Sequence, residues 1–334
     1  MAPRNNSTSI YLQFPTIDEY RGTRSKEARF TGGSRIRAQR DPDCRGLVSI
    51  VTVCFNAVAT IERTIRSVAE LRYPAIEYIV IDGGSTDGTV DVLRNWDGHI
   101  DLWISEPDEG ISDAFNKGIA LANGEFVMLV SADDWLEPHH LQVAVDALSA
   151  CNAEYVFGDL LMHAADGRVV GILRGDPAYA KHLARFRMPN INHPTFVYRR
   201  DAFVRYGLFN RSLRQSMDYE WAIRVVTRGG QGSYLSQLAS HVGLGGISDR
   251  AFTRSLSEVR QISMAYGYPA ALAWIRFMAR LLKGHARRRI EKLLPERVFI
   301  PLRKAINRGF GKVADGIGAP AVTSHSYRSH AGRE

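Results

Sequence analysis

The chain has 334 residues, 45% of them hydrophobic and 23% charged, and carries a formal net charge of +8. That is the composition of a soluble globular protein able to bury a sizeable core in one large domain or two modest ones. Cys44, Cys54 and Cys151 are isolated, which excludes a disulfide framework or a zinc pattern and fits a reducing cytoplasm. The charge favours an anionic partner: nucleic acid, a phosphorylated substrate or an acidic membrane surface.

Residues 1–45 are rich in Arg, Ser, Thr and Gly without apolar periodicity and read as a mostly mobile basic leader, with Ile10 to Leu12 able to dock locally. No apolar core of a secretory signal is visible between Met1 and Phe14, and no run of about 18 apolar residues predicts a spanning helix. The fold proper begins with a strand at Leu47 to Val53. Ile61, Ile65, Val68 and Leu71 then recur at helical spacing up to Pro74. A second strand ends at Asp82, a helix covers Thr89 to Trp96, and a short strand covers Asp101 to Ile104. A helix from Ser112 to Ala122 leads to a strand over Phe126 to Val130, and Pro138 opens the next helix. Alternating strands and helices with short links predict a mostly parallel, doubly wound α/β sheet.

After Cys151 the rhythm loosens into shorter strands at Tyr155 to Phe157, Val169 to Leu173 and Pro194 to Tyr198. A helix from Asp218 to Thr227, a strand at Ser233 to Leu238 and a helical region from Ile247 follow. The predicted division is a leader (1–45), a domain over 46–250 with halves at 46–150 and 151–250, and a basic helical region (251–334).

Two strands end abruptly in acids: Ile76 to Ile81 runs into Asp82-Gly83-Gly84-Ser85-Thr86-Asp87-Gly88, and Phe126 to Val130 runs into Ser131-Ala132-Asp133-Asp134. Open α/β sheets bind ligands beyond the carboxyl ends of their strands. Two acidic clusters there suit a polyhydroxylated or phosphorylated ligand with a divalent cation. Standard nucleotide motifs are missing: the first strand leads into Cys54-Phe55-Asn56 without glycine, and no GxxxxGK[ST] stretch occurs.

The ordered series of the first strand with Cys54-Phe55-Asn56, Ile81 to Thr89, Ser105-Glu106-Pro107-Asp108-Glu109-Gly110-Ile111-Ser112-Asp113-Ala114-Phe115-Asn116-Lys117-Gly118 and Ser131 to Asp134 resembles the family-2 glycosyltransferases, which have the GT-A fold. The likeness covers roughly residues 47–248, and its third motif is most similar to the bacterial branch that builds exopolysaccharides and glycolipids. It implies an inverting, metal-dependent transferase using a UDP-, GDP- or dTDP-sugar, with Mg²⁺ or Mn²⁺, on a saccharide or lipid-linked acceptor.

Residue by residue, the resemblance implies nucleobase contact at Asp82, ribose contact at Asp133 and metal ligation at Asp134. An acid pair at this position can alternatively cap a helix, and a capping Asp can do both. Phe55 either supplies a shelf for the base or caps the core. Asn116 and Lys117 align with a helix bordering the nucleotide, although Phe115 stands where relatives commonly carry Arg. Asp218 aligns with the general base, with Met217 where many relatives have Glu, and Glu220 and Trp221 follow it as acceptor-side candidates. His193 is expected to line the acceptor pocket, and His241, ahead of Gly245 to Ser248, is a candidate extra metal ligand.

Other classes remain in view. A sugar nucleotidyltransferase needs a glycine-rich basic loop after the first strand, which is missing, and an inert glycan-binding module fits poorly with intact Asp82, Asp134 and Asp218. No nucleic-acid motif accompanies the terminal arginines, so no nucleic-acid partner is expected. From Pro269, Trp274, Phe277, Met278, Leu281 and Leu282 recur at helical spacing beside Arg276, Arg280 and Lys283. Such a helix either lies peripherally on an anionic, cytoplasmic membrane face or packs on the domain with a solvated basic side.

Overall fold

Val48–Cys54 (β2) is buried along its whole length, as a strand covered on both faces must be. In the computed structural model it lies near the centre of a mixed sheet. The structure describes residues 14–22, 30–34, 46–164, 166–186, 188–243 and 252–293, with side chains to residue 286. β2 pairs in parallel with β3 (Ile76–Asp82) and β5 (Phe126–Ser131), and β3 pairs in parallel with β4 (Leu102–Ser105). The register sets Cys54 opposite Asp82, Asp82 opposite Ser105 and Val53 opposite Ser131. All four strands therefore release their following loops at one edge.

The crossovers are α2 (Ile61–Ala69), α3 (Thr89–Asn95) and α4 (Ile111–Leu121). α2 shows why the sequence forms these helices: Ile61, Ile65 and Val68 make a buried stripe, while Glu62 and Arg66 pair at 3.0 Å on the solvent side. α4 lies unusually close to the sheet. A Cβ on its Gly118 would stand 2.1 Å from Val51 Cγ1, so only glycine permits this packing.

The second half joins differently. β6 (Asp134–Leu136) leaves the acid pair directly, and α5 (His140–Ala150) follows. β7 (Tyr155–His163), β8 (Val169–Leu173), α6 (Tyr179–Ala184), β9 (Val197–Arg199), α7 (Arg200–Tyr206), α8 (Met217–Thr227) and β10 (Gly232–Gly243) complete it. β9 is antiparallel between β5 and β7, whereas β10 runs parallel to β7 and antiparallel to β6. The expected strand from Pro194 is instead a 3₁₀ turn (His193–Thr195) leading into β9. Apolar cores fill both faces; one gathers Tyr155, Phe157, Phe196, Tyr198, Phe203 and Trp221.

The leader and the C-terminal boundary need correction. Ile17–Gly22 (α1) docks on α4, where Tyr20 Oη donates to Asp113 Oδ1 at 2.7 Å and Leu208 N donates to Pro15 O at 3.1 Å. Phe30–Gly32 (β1) adds an antiparallel edge strand to β4. These segments lack apolar periodicity because each contributes only a few residues to a surface made elsewhere. Ile10 to Leu12 lie outside the described residues. Toward the other end, the compact unit holding the sheet continues through α9 (Phe252–Ala265) and into α10 (Ala270–Leu293) as far as Ala286, past the expected boundary at 250. Leu256, Val259 and Ile262 are buried, which makes α9 part of the core.

Candidate active site

The loops after β2 and β3 are laced together at the carboxyl edge. Asn56 N donates to Ser85 Oγ at 2.7 Å, and Asn56 Oδ1 accepts from Thr86 N at 3.0 Å. Phe55, beside this lacing, is 60% exposed, so it does not cap the core. Asp82 is fully buried and turned into its own loop, accepting from Ser85 N at 2.9 Å, Gly84 N at 3.2 Å and Ser105 Oγ at 2.6 Å. The expected nucleobase contact thus belongs to a carboxylate already saturated by local donors.

A carboxylate that sequence reasoning passed over lies closer to the opening. A Cβ on Gly83 would stand 2.6 Å from Asp108 Oδ2 and 3.3 Å from Phe55 Cδ2, so the bare glycine lets that acid approach the Phe55 ring. Asp108 Oδ1 accepts from Gly110 N at 2.7 Å, and burial holds the group above the usual carboxylate range. The signal was present in the quoted motif, but its order gave no reason to prefer Asp108 over its neighbours.

Asp133 and Asp134 follow β5. Asp134 is 3% exposed, and burial, reinforced by Asp133, pushes its carboxyl well above the usual range. α2 holds the backbone here: Arg63 Nη2 donates to Asp133 O at 3.0 Å and Thr64 Oγ1 to Asp134 O at 2.7 Å. The Arg63 guanidinium lies 3.8 Å from the Trp135 ring centroid. A buried carboxyl raised by a second acid is a place where a hard dication lowers the electrostatic cost, so these residues fit Mg²⁺ or Mn²⁺ with the remaining ligands drawn from phosphate and water. Among the described residues no cluster of three His, Cys, Asp or Glu side chains forms a protein-only metal cage.

His241 is committed elsewhere. Its Nδ1 is 2.8 Å from His163 Nε2, its Nε2 is 2.6 Å from Glu137 Oε1, and its ring stacks on Trp135. Because the Gly167 carbonyl can only accept from His163 Nδ1, at 2.9 Å, His163 Nε2 accepts from His241 Nδ1–H. Both nitrogens of His241 are therefore used. Gly245 to Ser248 lie outside the described residues.

α8 carries the candidate base. From Ser216 to Val225 every residue is buried except Asp218, which keeps part of its surface open. Burial raises Asp218 to about 6, against the stabilising Tyr219 N–H at 2.8 Å, and Glu258 adds to the rise. The loop before α8 reaches the nucleotide half: Ser112 Oγ donates to Leu213 O at 2.6 Å, and a Cβ on Gly110 would stand 1.7 Å from Arg214 Nη1. Gly110 thereby makes room for the Arg214 guanidinium beside the Asp108 loop.

Several candidate side chains are engaged within the protein itself. Asn116 is fully buried, donating to Phe209 O at 2.8 Å and accepting from Phe209 N at 2.9 Å, so its amide ties α4 to the second half rather than to a nucleotide. Lys117 is held by Glu106 at 2.8 Å and Asp113 at 3.5 Å; burial opposes its charge, but these carboxylates win and raise its pKa. Glu220 is fully buried against Arg224 at 2.7 Å, and Trp221 packs in the aromatic core, with Nε1 donating to Gly207 O at 3.0 Å. His193 is half-buried against Phe115 and Phe196, its Nε2 is buried without a hydrogen-bond partner, and burial lowers the ring to about 4, so it is neutral at ordinary pH.

A mixed sheet of this order, with acids at the carboxyl edge of its parallel strands, is that of the GT-A fold. Residues 49–207 match the model described as Glycosyl transferase family 2. It is 45% identical over 104 residues to an uncharacterised glycosyltransferase of Mycobacterium tuberculosis, spanning 30% of this chain and 40% of that relative's length. It is 26% identical over 242 residues to a PGL/p-HBAD biosynthesis glycosyltransferase of Mycobacterium bovis, covering 69% of this chain and 90% of that one. The solved mannosyltransferase PcManGT from Pyrobaculum calidifontis, in complex with GDP-Man and Mn²⁺, shares the fold at a TM-score of 0.54 and 17% identity, covering 88% of this chain and 86% of that one.

Proposed function

We propose that the protein is an inverting glycosyltransferase that moves a sugar from a nucleoside-diphosphate donor to a saccharide or lipid-linked acceptor in polysaccharide or glycolipid biosynthesis. The observation that carries this is Asp218: an open carboxylate on an otherwise buried stretch, with a pKa of about 6. That value leaves it ionised at neutral pH yet basic enough to take a proton. Asp218 accepts the acceptor hydroxyl's proton as that oxygen forms its bond to the anomeric carbon. The bond from that carbon to the donor phosphate breaks on the opposite face, and the electron pair leaves with the nucleoside diphosphate.

Phe55 offers its exposed face to the base, and Asp108 beside it accepts from a ring N–H or ribose hydroxyl. Asp82 shapes this end by holding its loop. Asp133 would serve the ribose, and Asp134 would hold Mg²⁺ or Mn²⁺, which when bound would stabilise charge on the departing diphosphate. The anomeric configuration of the product, read by NMR, tests the mechanism: inversion is expected, and retention overturns it. Thermal shifts with UDP, GDP and dTDP, each with and without Mn²⁺, identify the donor nucleotide through its linkage to folding. The relative named for PGL/p-HBAD biosynthesis supports an envelope glycolipid acceptor.

We further propose peripheral attachment to an anionic membrane through α10. Ala273 is buried while Phe277 and Leu281 are partly covered, so the expected stripe divides. Leu272, Trp274, Ile275, Met278 and Leu282 remain exposed. Five large apolar side chains on one helix, bordered by Arg276, Arg280 and Lys283, suit a headgroup region. No helix among the described residues is long and apolar enough to cross a membrane. Flotation with anionic liposomes is expected for the native protein and lost in Ile275→Glu/Leu282→Glu; equal flotation of both would reject the contact.

A further inference from the structure

Glu258 lies on α9, beyond the residues matched by the family model. It is 7% exposed, and its carboxylate accepts three consecutive backbone N–H groups: Arg214 on Oε1 at 3.0 Å, and Gln215 and Ser216 on Oε2 at 2.9 Å each. These residues form the approach to α8, and Asp218 stands two positions after Ser216. Converging backbone N–H groups make a strong anion seat, and bonds to an ionised acceptor are about twice as strong as neutral ones. Burying a carboxylate is costly unless its oxygens are satisfied, so the anion and the turn stabilise each other.

α9 and Tyr266, the residue after its end, grip α8 at two further points. Tyr266 Oη donates to Glu220 Oε1 at 2.7 Å, and Ser263 Oγ lies 3.4 Å from Tyr219 Oη. Two titratable groups from other elements face Asp218: Glu258 on α9 and the buried Tyr198 on β9. Glu258 therefore reaches Asp218 both through the backbone turn and as a like charge.

We propose that Glu258 is the positioning residue of the transferase: it locks the Arg214–Ser216 turn, fixing the direction in which Asp218 meets the acceptor hydroxyl and in which Arg214 lies over Gly110. This rests on the reading of Asp218 as the base. α9 thus completes the geometry around Asp218. Misplacing a base by about 1 Å costs on the order of 10²-fold in rate, so a turn of this kind carries catalytic weight.

The test measures kcat against pH, donor KM and melting temperature for the full chain, Glu258→Gln, Glu258→Asp and Asp218→Asn. Glu258→Gln is expected to lose about 10-fold or more in kcat while donor KM holds within about twofold. Its acid limb should move to lower pH, because removing the neighbouring negative charge eases ionisation of Asp218. Glu258→Asp keeps the charge but is one methylene shorter, so it should lose kcat with the limb in place. If Glu258→Gln melts early yet keeps native kcat and limb per folded molecule, the role is merely structural and the proposal fails. Where Glu258→Gln does not fold, native kcat in Glu258→Asp overturns the proposal and a reduced kcat with an unmoved limb supports it. Full activity in Asp218→Asn would instead sink the base reading itself.

Discussion

Replacing Asp218 with Asn should make the protein more stable while nearly abolishing turnover. The carboxyl stands at about 6 in the folded protein against 3.8 for the free side chain, so the folded state binds the proton more tightly than the unfolded chain. The sign follows: the penalty is absent below about pH 4, grows between pH 4 and 6, and is complete above the folded pKa. A rise of 6 − 3.8 = 2.2 corresponds to on the order of 3 kcal/mol, and solvent at the part-open side chain trims this to about 2. Asn keeps the size and still accepts from Tyr219 N, but it carries no charge to desolvate. At pH 7.5 the melting temperature should rise by about 4–8 °C for a domain of this size, and the gap should close near pH 4. Turnover should fall by about 10²-fold or more, with donor affinity unchanged. Scanning calorimetry at several pH values, beside a transfer assay, checks both halves. A variant that is less stable at pH 7.5, or whose gain does not depend on pH, would refute the argument.

For the native enzyme, kcat should fall as pH drops through about 6, since protonated Asp218 cannot accept a proton; a flat profile from pH 5 to 8 contradicts the assignment. Asp134→Ala should remove transfer and metal-dependent nucleotide binding while circular dichroism stays native; near-normal, EDTA-sensitive transfer would move the metal elsewhere. Phe55→Ala should weaken donor binding about 10-fold by calorimetry with no change in melting, because the ring is exposed. Glu220→Ala strands the buried Arg224 and should cost about 3–5 kcal/mol in chemical denaturation, leaving KM of the surviving folded enzyme intact.

Sequence alone determined the strand–acid units and therefore the nucleotide half of the sheet. A strand covered on both faces must be continuously apolar, and the abrupt change to Asp at 82 and at 133 marks where that cover ends. The order of those units also carried the resemblance to the family-2 glycosyltransferases and drew attention to Asp133 and Asp134, and a later segment drew attention to Asp218. Adjacency to Asp218 in the sequence, by contrast, misled at α8: Glu220 and Trp221 sit within one turn of it, yet from Ser216 to Val225 only Asp218 stays open. The contacts of Asn116 with Phe209, of Arg63 with Asp133 and of Glu258 with the Arg214–Ser216 turn join segments 42 to 93 residues apart. No local pattern encodes them. Tertiary structure decided which acids face an opening and which are spent on backbone N–H groups. Burial and hydrogen-bond saturation are set by neighbours brought from elsewhere in the chain, and the same carboxyl group is a loop brace at Asp82 and a part-open acid raised to about 6 at Asp218.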